Sequence, residues 1–167
     1  FFKQKTAYEI SRSDWSSDVC SSDLALKEGN YNYIDRSKMT SREGLLASYD
    51  ADVFLSSANA MTSDGILVNI DGNSNRVSCI AQGPKKVIFI VGMNKVCSDL
   101  DSAMKRARNI AAPTNAQNFD VKTPCKTTGK CFDCKSPDTL CCQFLITRYS
   151  RHVGRIHVIL VNDTLGY

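Results

Sequence analysis

The sequence has no apolar run near the roughly 20 residues that a membrane span requires. The longest nearly uncharged stretch surrounds Val87–Met93, so no membrane span is expected. Charge of one sign is also missing: 21 Lys and Arg stand against 17 Asp and Glu, a formal net charge of +4. The basic residues are scattered and lack interleaved aromatics, so no nucleic-acid partner is expected. Only two histidines are present, His152 and His157, and no G-x-S-x-G turn accompanies them, which excludes a recognisable Ser/His/Asp assembly. No internal repeat or low-complexity segment occurs. What remains is ordinary for one globular domain: 43% of residues are hydrophobic and 23% charged, enough to bury a core.

Residues 1–24 read differently from the rest. They carry no apolar period and repeat Ser-Ser-Asp at 16–18 and 21–23. Phe1–Ile10 and Asp14–Leu24 resemble a translated sequencing adapter with a short index between them. The segment is therefore expected to be foreign to the domain, and Ser11–Asp23 offers no apolar stretch of the kind a secretion signal uses. The domain is then 25–167, with eighteen Lys and Arg, thirteen Asp and Glu and seven Cys, and it is expected to be truncated at its N-terminal side. A sheet that has lost a strand there would carry a bare edge.

Hydropathy and turn residues divide 25–167 into alternating elements. Ser41–Tyr49 reads as a helix capped by Thr40 or Ser41, with Glu43 in its first turn and Leu45, Leu46 and Tyr49 inward. Val53–Leu55 and Ile66–Ile70 read as strands, and Asp64-Gly65 predicts a hairpin joining Met61 to Leu67. Asn73 or Ser74 caps a helix over Asn75–Ala81. Lys86–Gly92 (KVIFIVG) is a central strand. Asp99–Ala112 is an amphipathic helix ended by Pro113, and Gln143–Tyr149 and Arg155–Val161 are two late strands, the second as apolar as the central one. Such alternation predicts an α/β domain with a mixed, partly parallel sheet flanked by helices. Arg148, Arg151 and Arg155 read as a solvated basic face.

Two constellations bear on chemistry. Five cysteines fall within eighteen residues of a Gly-, Pro-, Thr- and Lys-rich loop, 123–142, that has no apolar pattern to order it. Cys131-x-x-Cys134 is a metal-ligand spacing, and Cys125 and Cys141 flank it at distances a loop can close. Adjacent Cys141 and Cys142 point apart, and Cys141 is taken as the fourth ligand. Four thiolates suit zinc or an iron–sulfur cluster, and the spacing leaves the two unseparated; Lys122, Lys126, Lys130 and Lys135 would stabilise the charge. Reduced thiols, or a Cys131–Cys134 disulfide, are the alternative. The second constellation gathers Asn59, Thr62, Asp64, Asp71, Asn75 and Arg76 at strand ends and a helix start, where free N–H groups and a guanidinium suit an anion such as a carboxylate or phosphate. Ordinary turn formation accounts for the same residue types.

Ala51–Gly65 (ADVFLSSANAMTSDG), Val68–Val77 (VNIDGNSNRV), Gly83–Ile88 (GPKKVI), Val91–Lys95 (VGMNK), Asn109–Ala116 (NIAAPTNA) and the loop Thr123–Cys141 resemble the LUD-domain family, the lactate utilization proteins, in its short clostridial-type branch. The resemblance runs from about Tyr31 to Tyr167. It implies an α/β fold similar to the NagB/RpiA/CoA-transferase group and a cytoplasmic protein linked to oxidation of lactate to pyruvate alongside iron–sulfur partner subunits. It supplies no catalytic residue. A non-catalytic assembly module built on a structural zinc knuckle is the competing expectation.

Overall fold

A computed structural model describes residues 9–12 and 28–167. The fold is α/β with parallel and antiparallel strands flanked by helices, as expected, and the strands divide into two sheets. The first is wholly parallel. Its strands β1 (Glu9–Arg12), β2 (Asn32–Ile34), β3 (Val53–Ser56), β6 (Lys86–Gly92) and β9 (Ile156–Val161) lie in the order β2-β1-β3-β6-β9. The second orders β7 (Val96–Cys97), β4 (Ala60–Thr62), β5 (Leu67–Asp71) and β8 (Gln143–Thr147) as β7-β4-β5-β8. Pairing of Met61 with Leu67 in antiparallel register is the hairpin that Asp64-Gly65 foretells.

β3 has no bare edge here. Glu9–Arg12, within the segment read as foreign, pairs with it from Ile10↔Val53 to Arg12↔Leu55. A parallel ladder is made by backbone groups, and this pairing covers the β3 edge. The core forms where Phe54, Val87, Phe89 and Val91 on the parallel sheet meet Met61, Leu67, Cys79 and Ile80. A second cluster packs Ala60, Val68 and Ile70 against Ala103 and Ala107 of the long helix.

Helix α1 (Ser41–Asp50) starts at a full capping box: the Thr40 hydroxyl accepts from Glu43 N, and the Glu43 carboxylate accepts from Thr40 N, satisfying two otherwise orphan donors. It turns Gly44 and Ser48 fully inward and leaves Leu46 half exposed, so its inner face is smaller than the Leu45/Leu46/Tyr49 stripe suggested. Gly44 lets the helix approach Arg36, whose side chain lies 3.3 Å from where a Cβ would stand.

Two other expectations change. Helix α2 (Asn75–Ala81) is not capped by the side chain of Asn73 or Ser74; Asp71 does this work from the end of β5. The long helix does not stop at Pro113. It runs as α3 (Leu100–Arg106), a π-helical turn (Ala107–Ala111) and α4 (Ala112–Ala116), the Ala112 N–H reaching back to Ala107 O. The wide turn resets the hydrogen-bond ladder, so Pro113 falls in the first turn of a new segment, where its missing N–H costs nothing. β9, as apolar as β6, lies at the sheet edge among the described residues, with Ile159 and Leu160 each 50% exposed.

Arg155 is also no solvated residue. Its guanidinium donates to Pro84 O, Ile80 O and Cys79 O at 3.0, 2.7 and 3.0 Å, closing the C-terminal end of α2 onto the start of β9. Charged hydrogen bonds to carbonyls at a helix C-terminus are favoured by the dipole as well. Arg155→Ala should cost about 2–3 kcal/mol, read as a lowered urea midpoint at unchanged m-value, and Arg155→Lys should recover only part, since one ammonium cannot span three carbonyls. A midpoint within error of wild type would refute this assignment.

Candidate functional site: a four-cysteine cavity

The loop after the long helix begins with a single helical turn, α5 (Pro124–Thr128), closed by Gly129 in the left-handed region. From there to β8 the chain has no regular structure, and its fixed points are polar. Cys142 N donates to Asp71 O at 2.9 Å, Lys122 N to the Asp138 carboxylate at 2.9 Å, and Gln117 Nε2 to Lys126 O at 2.9 Å. These bonds bring Cys125, Cys131, Cys134 and Cys141 to one cavity of about 30 Å³, walled further by Arg108, Phe132 and Phe144. Cys142 lies outside it, exposed, its thiol donating to Thr139 O at 3.5 Å. As placed, no three His, Cys, Asp or Glu side chains among the described residues are gathered tightly enough to ligate an ion; the sulfurs share a cavity without being drawn together.

The chemistry of the donors nonetheless suits a metal. All seven cysteines among the described residues are free thiols. Asp133, between Cys131 and Cys134, has a left-handed backbone (φ 53°), and its N–H donates to Cys131 Sγ at 3.5 Å. Arg108, from the π-helical turn, donates Nη2 to Cys131 Sγ at 3.5 Å and to the Asp133 carboxylate at 2.7 Å, and its bond to Cys131 raises its own pKa. Arg108, rather than any loop lysine, is thus the cation shown in contact with a sulfur; Lys126 Nζ donates instead to Phe119 O. Composition could not have revealed Arg108, which lies 23 residues before Cys131 in the chain.

Cys141 is half-buried and packs against the second core cluster. Burial, then the neighbouring Cys131, Cys125, Cys134 and Cys142, push its pKa up to about 12, because a thiolate there would be both desolvated and crowded by like charge. Cys79, buried in the core, is pushed up to about 11, chiefly by burial. A raised folded pKa stabilises the fold fully below the unfolded value of about 9 and loses that contribution as pH rises through the folded value. With chelator and reductant present, stability should therefore fall between about pH 9 and pH 12. Urea unfolding at stepped pH measures this, and a flat profile over that window would contradict it.

The second constellation is brought together in part. Arg76 is 2% exposed, and its guanidinium donates to Ile70 O (2.6 Å), Asn59 Oδ1 (3.0 Å) and Ser57 O (3.3 Å). Burial lowers its pKa to about 10 against the opposing pull of Asp71, so it stays charged at neutral pH. Asn59 Oδ1 also accepts from Ile70 N, and Asn75 Oδ1 accepts from Arg76 N. The helix-start N–H groups read as an anion site already hold one: Asp71 Oδ2 accepts from Arg76 N at 3.0 Å and Val77 N at 3.1 Å, and Oδ1 from Asn73 N at 3.2 Å. Thr62 and Asp64 stand apart at the hairpin turn, bonded to each other, with Ile66 N donating to the Thr62 hydroxyl. Sequence reasoning missed two neighbours of this network. Lys95, 3% exposed, donates Nζ to Ser57 Oγ at 3.1 Å, and Arg106 donates to Asn59 O at 2.5 Å; Lys95 falls in the segment VGMNK that carries the resemblance, but nothing in its spacing ties it to Asn59 or Arg76.

Fold and site together define an α/β domain with an all-parallel sheet, an appended mixed sheet and a cysteine-lined cavity at the latter's edge. The LUD domain family matches residues 7–161, and the chain belongs to that family. No curated protein matches it. Among solved structures, a DUF162 family protein from Deinococcus radiodurans is similar over 93% of this chain and 88% of that one, at 13% identity and a TM-score of 0.42, a likeness too distant to argue from. Among the described residues, no helix is long and apolar enough to cross a membrane.

Proposed function

We propose that the protein is a cytoplasmic component of lactate utilization, the role its family resemblance implies, and that Cys125, Cys131, Cys134 and Cys141 hold a single metal ion that orders loop 123–142 as an assembly element. The observation that carries this reading is the convergence of those four thiols on one cavity while Cys142 stays outside. Room of about 30 Å³ is on the scale of one water molecule; it suits an ion better than a multi-iron cluster. Four thiolates around one ion make a closed tetrahedral set of structural type, and zinc would supply cross-linking without redox chemistry. The free thiols are those expected of a reducing compartment.

In this reading, oxidation of lactate belongs to partner subunits, and the loop is where they meet this chain. Metal analysis of the full chain purified without oxygen is the test. One zinc per chain without acid-labile sulfide is the expected result. Iron with stoichiometric sulfide and a charge-transfer absorption that bleaches on reduction would replace the structural role with electron transfer. Absence of any metal would remove the site.

A further inference from the structure

We propose that Arg108 is the positioning residue of the cysteine site: one nitrogen of its guanidinium bonds both Asp133 and Cys131, tying the middle of the loop to the long helix so that Cys131 is held at the cavity before an ion draws the other thiols in. The inference rests on the metal reading above and deepens it. Nη2 of Arg108 meets Cys131 Sγ at 3.5 Å and Asp133 Oδ1 at 2.7 Å, and the Asp133 backbone N–H meets the same sulfur at 3.5 Å. One sulfur therefore receives two donors, and the residue supplying one of them is itself pinned by the source of the other. The support comes from outside the loop, from a π-helical turn fixed in the fold by buried Ala107 and Ala111.

An ion bound by four thiolates carries a net charge of −2, which a guanidinium at the rim offsets. Outer groups that orient and compensate metal ligands commonly change affinity 10–100-fold when removed. Arg108 touches no metal in this account; it acts through Cys131.

The test is zinc affinity of the full chain by competition with a chromophoric chelator, alongside the thiolate-to-cobalt charge-transfer band of the cobalt-substituted protein. Arg108→Gln should weaken zinc binding by tenfold or more and shift that band, which a purely structural residue would leave in place. Arg108→Lys keeps the charge and one donor nitrogen without the planar guanidinium geometry and should fall between. Asp133→Gly keeps the left-handed backbone and its N–H but removes the carboxylate, so it should weaken binding by less than Arg108→Gln. Circular dichroism in chelator checks folding, and if Arg108→Gln does not fold, Arg108→Lys carries the comparison. Wild-type affinity and an unchanged cobalt band in the Arg108 variants would overturn the proposal while leaving the metal site standing; a wild-type chain that takes up no metal would overturn both.

Discussion

Arg76→Met is expected to destabilise the protein by about 3–5 kcal/mol, the cost of breaking a buried ionic network by removing one partner. The side chain is the right length for methionine to fill most of its space, so the loss comes from polarity rather than volume. Ile70 O, Ser57 O and Asn59 Oδ1 would all lose a charged donor; Asn59 Oδ1 keeps the Ile70 N–H, whereas a buried acceptor left without any donor costs about 1–3 kcal/mol. Asp71 would at the same time lose its buried counter-charge. Arg76→Lys should recover little, because a single ammonium cannot bond acceptors on β5 and on both sides of Ala58. Adding Asn59→Ala to Arg76→Met should cost less than the sum of the two, since they share bonds. Urea unfolding checks this, and a loss below about 1 kcal/mol for Arg76→Met would show that the network is dispensable.

The second large effect is expected at the cysteines. A ligand present at a thousandfold excess over its dissociation constant stabilises the folded state by about 4 kcal/mol. If an ion is held, adding chelator should lower the thermal midpoint by a corresponding amount, and Cys134→Ser should reproduce that loss in the absence of chelator. Cys142→Ser is the matched control, one residue from Cys141 but outside the cavity, and should retain the wild-type midpoint and the wild-type response to chelator. Calorimetry of the three proteins with and without chelator decides it. Equal behaviour of Cys134→Ser and Cys142→Ser would remove the distinction on which the site is built.

Local chemistry was legible where a signal and its consequence sit a few residues apart. Thr40 and Glu43 announce the start of α1, Asp64-Gly65 sets the β4–β5 hairpin, and the β-branched run Lys86–Gly92 marks an interior strand, paired on both sides. The four cysteines could be grouped because they share one loop. What could not be read depends on contacts across the chain. Asp71 looks like a turn residue, yet caps a helix five residues on. Arg155 looks solvated, yet closes that same helix from more than 70 residues away. Arg108 and Asp133 meet only because a helix and a loop pack together. β9 shows the limit of composition: apolarity states what a strand can bury, whereas its place in the sheet decides what it does bury. Pro113 shows another, since one wide turn lets a helix continue through a residue that ordinarily ends it.

That wide turn has a further consequence. An α-helix advances about 100° per residue, so inserting one residue's worth of backbone rotates everything beyond it by that angle relative to a regular helix. Within the wide turn itself, Arg108 meets the cysteine loop. Downstream, Asn115 accepts from the Tyr167 hydroxyl, which itself accepts from Asn118, while Asn94 holds the tail at Leu165 and Gly166. One rod thereby serves two clients in different azimuths. Deleting a single residue between Arg108 and Ala111 would restore the regular phase and turn Asn115 by about 100° relative to Arg108, so the Arg108 bond to Cys131 and the Asn115 bond to Tyr167 would no longer both form.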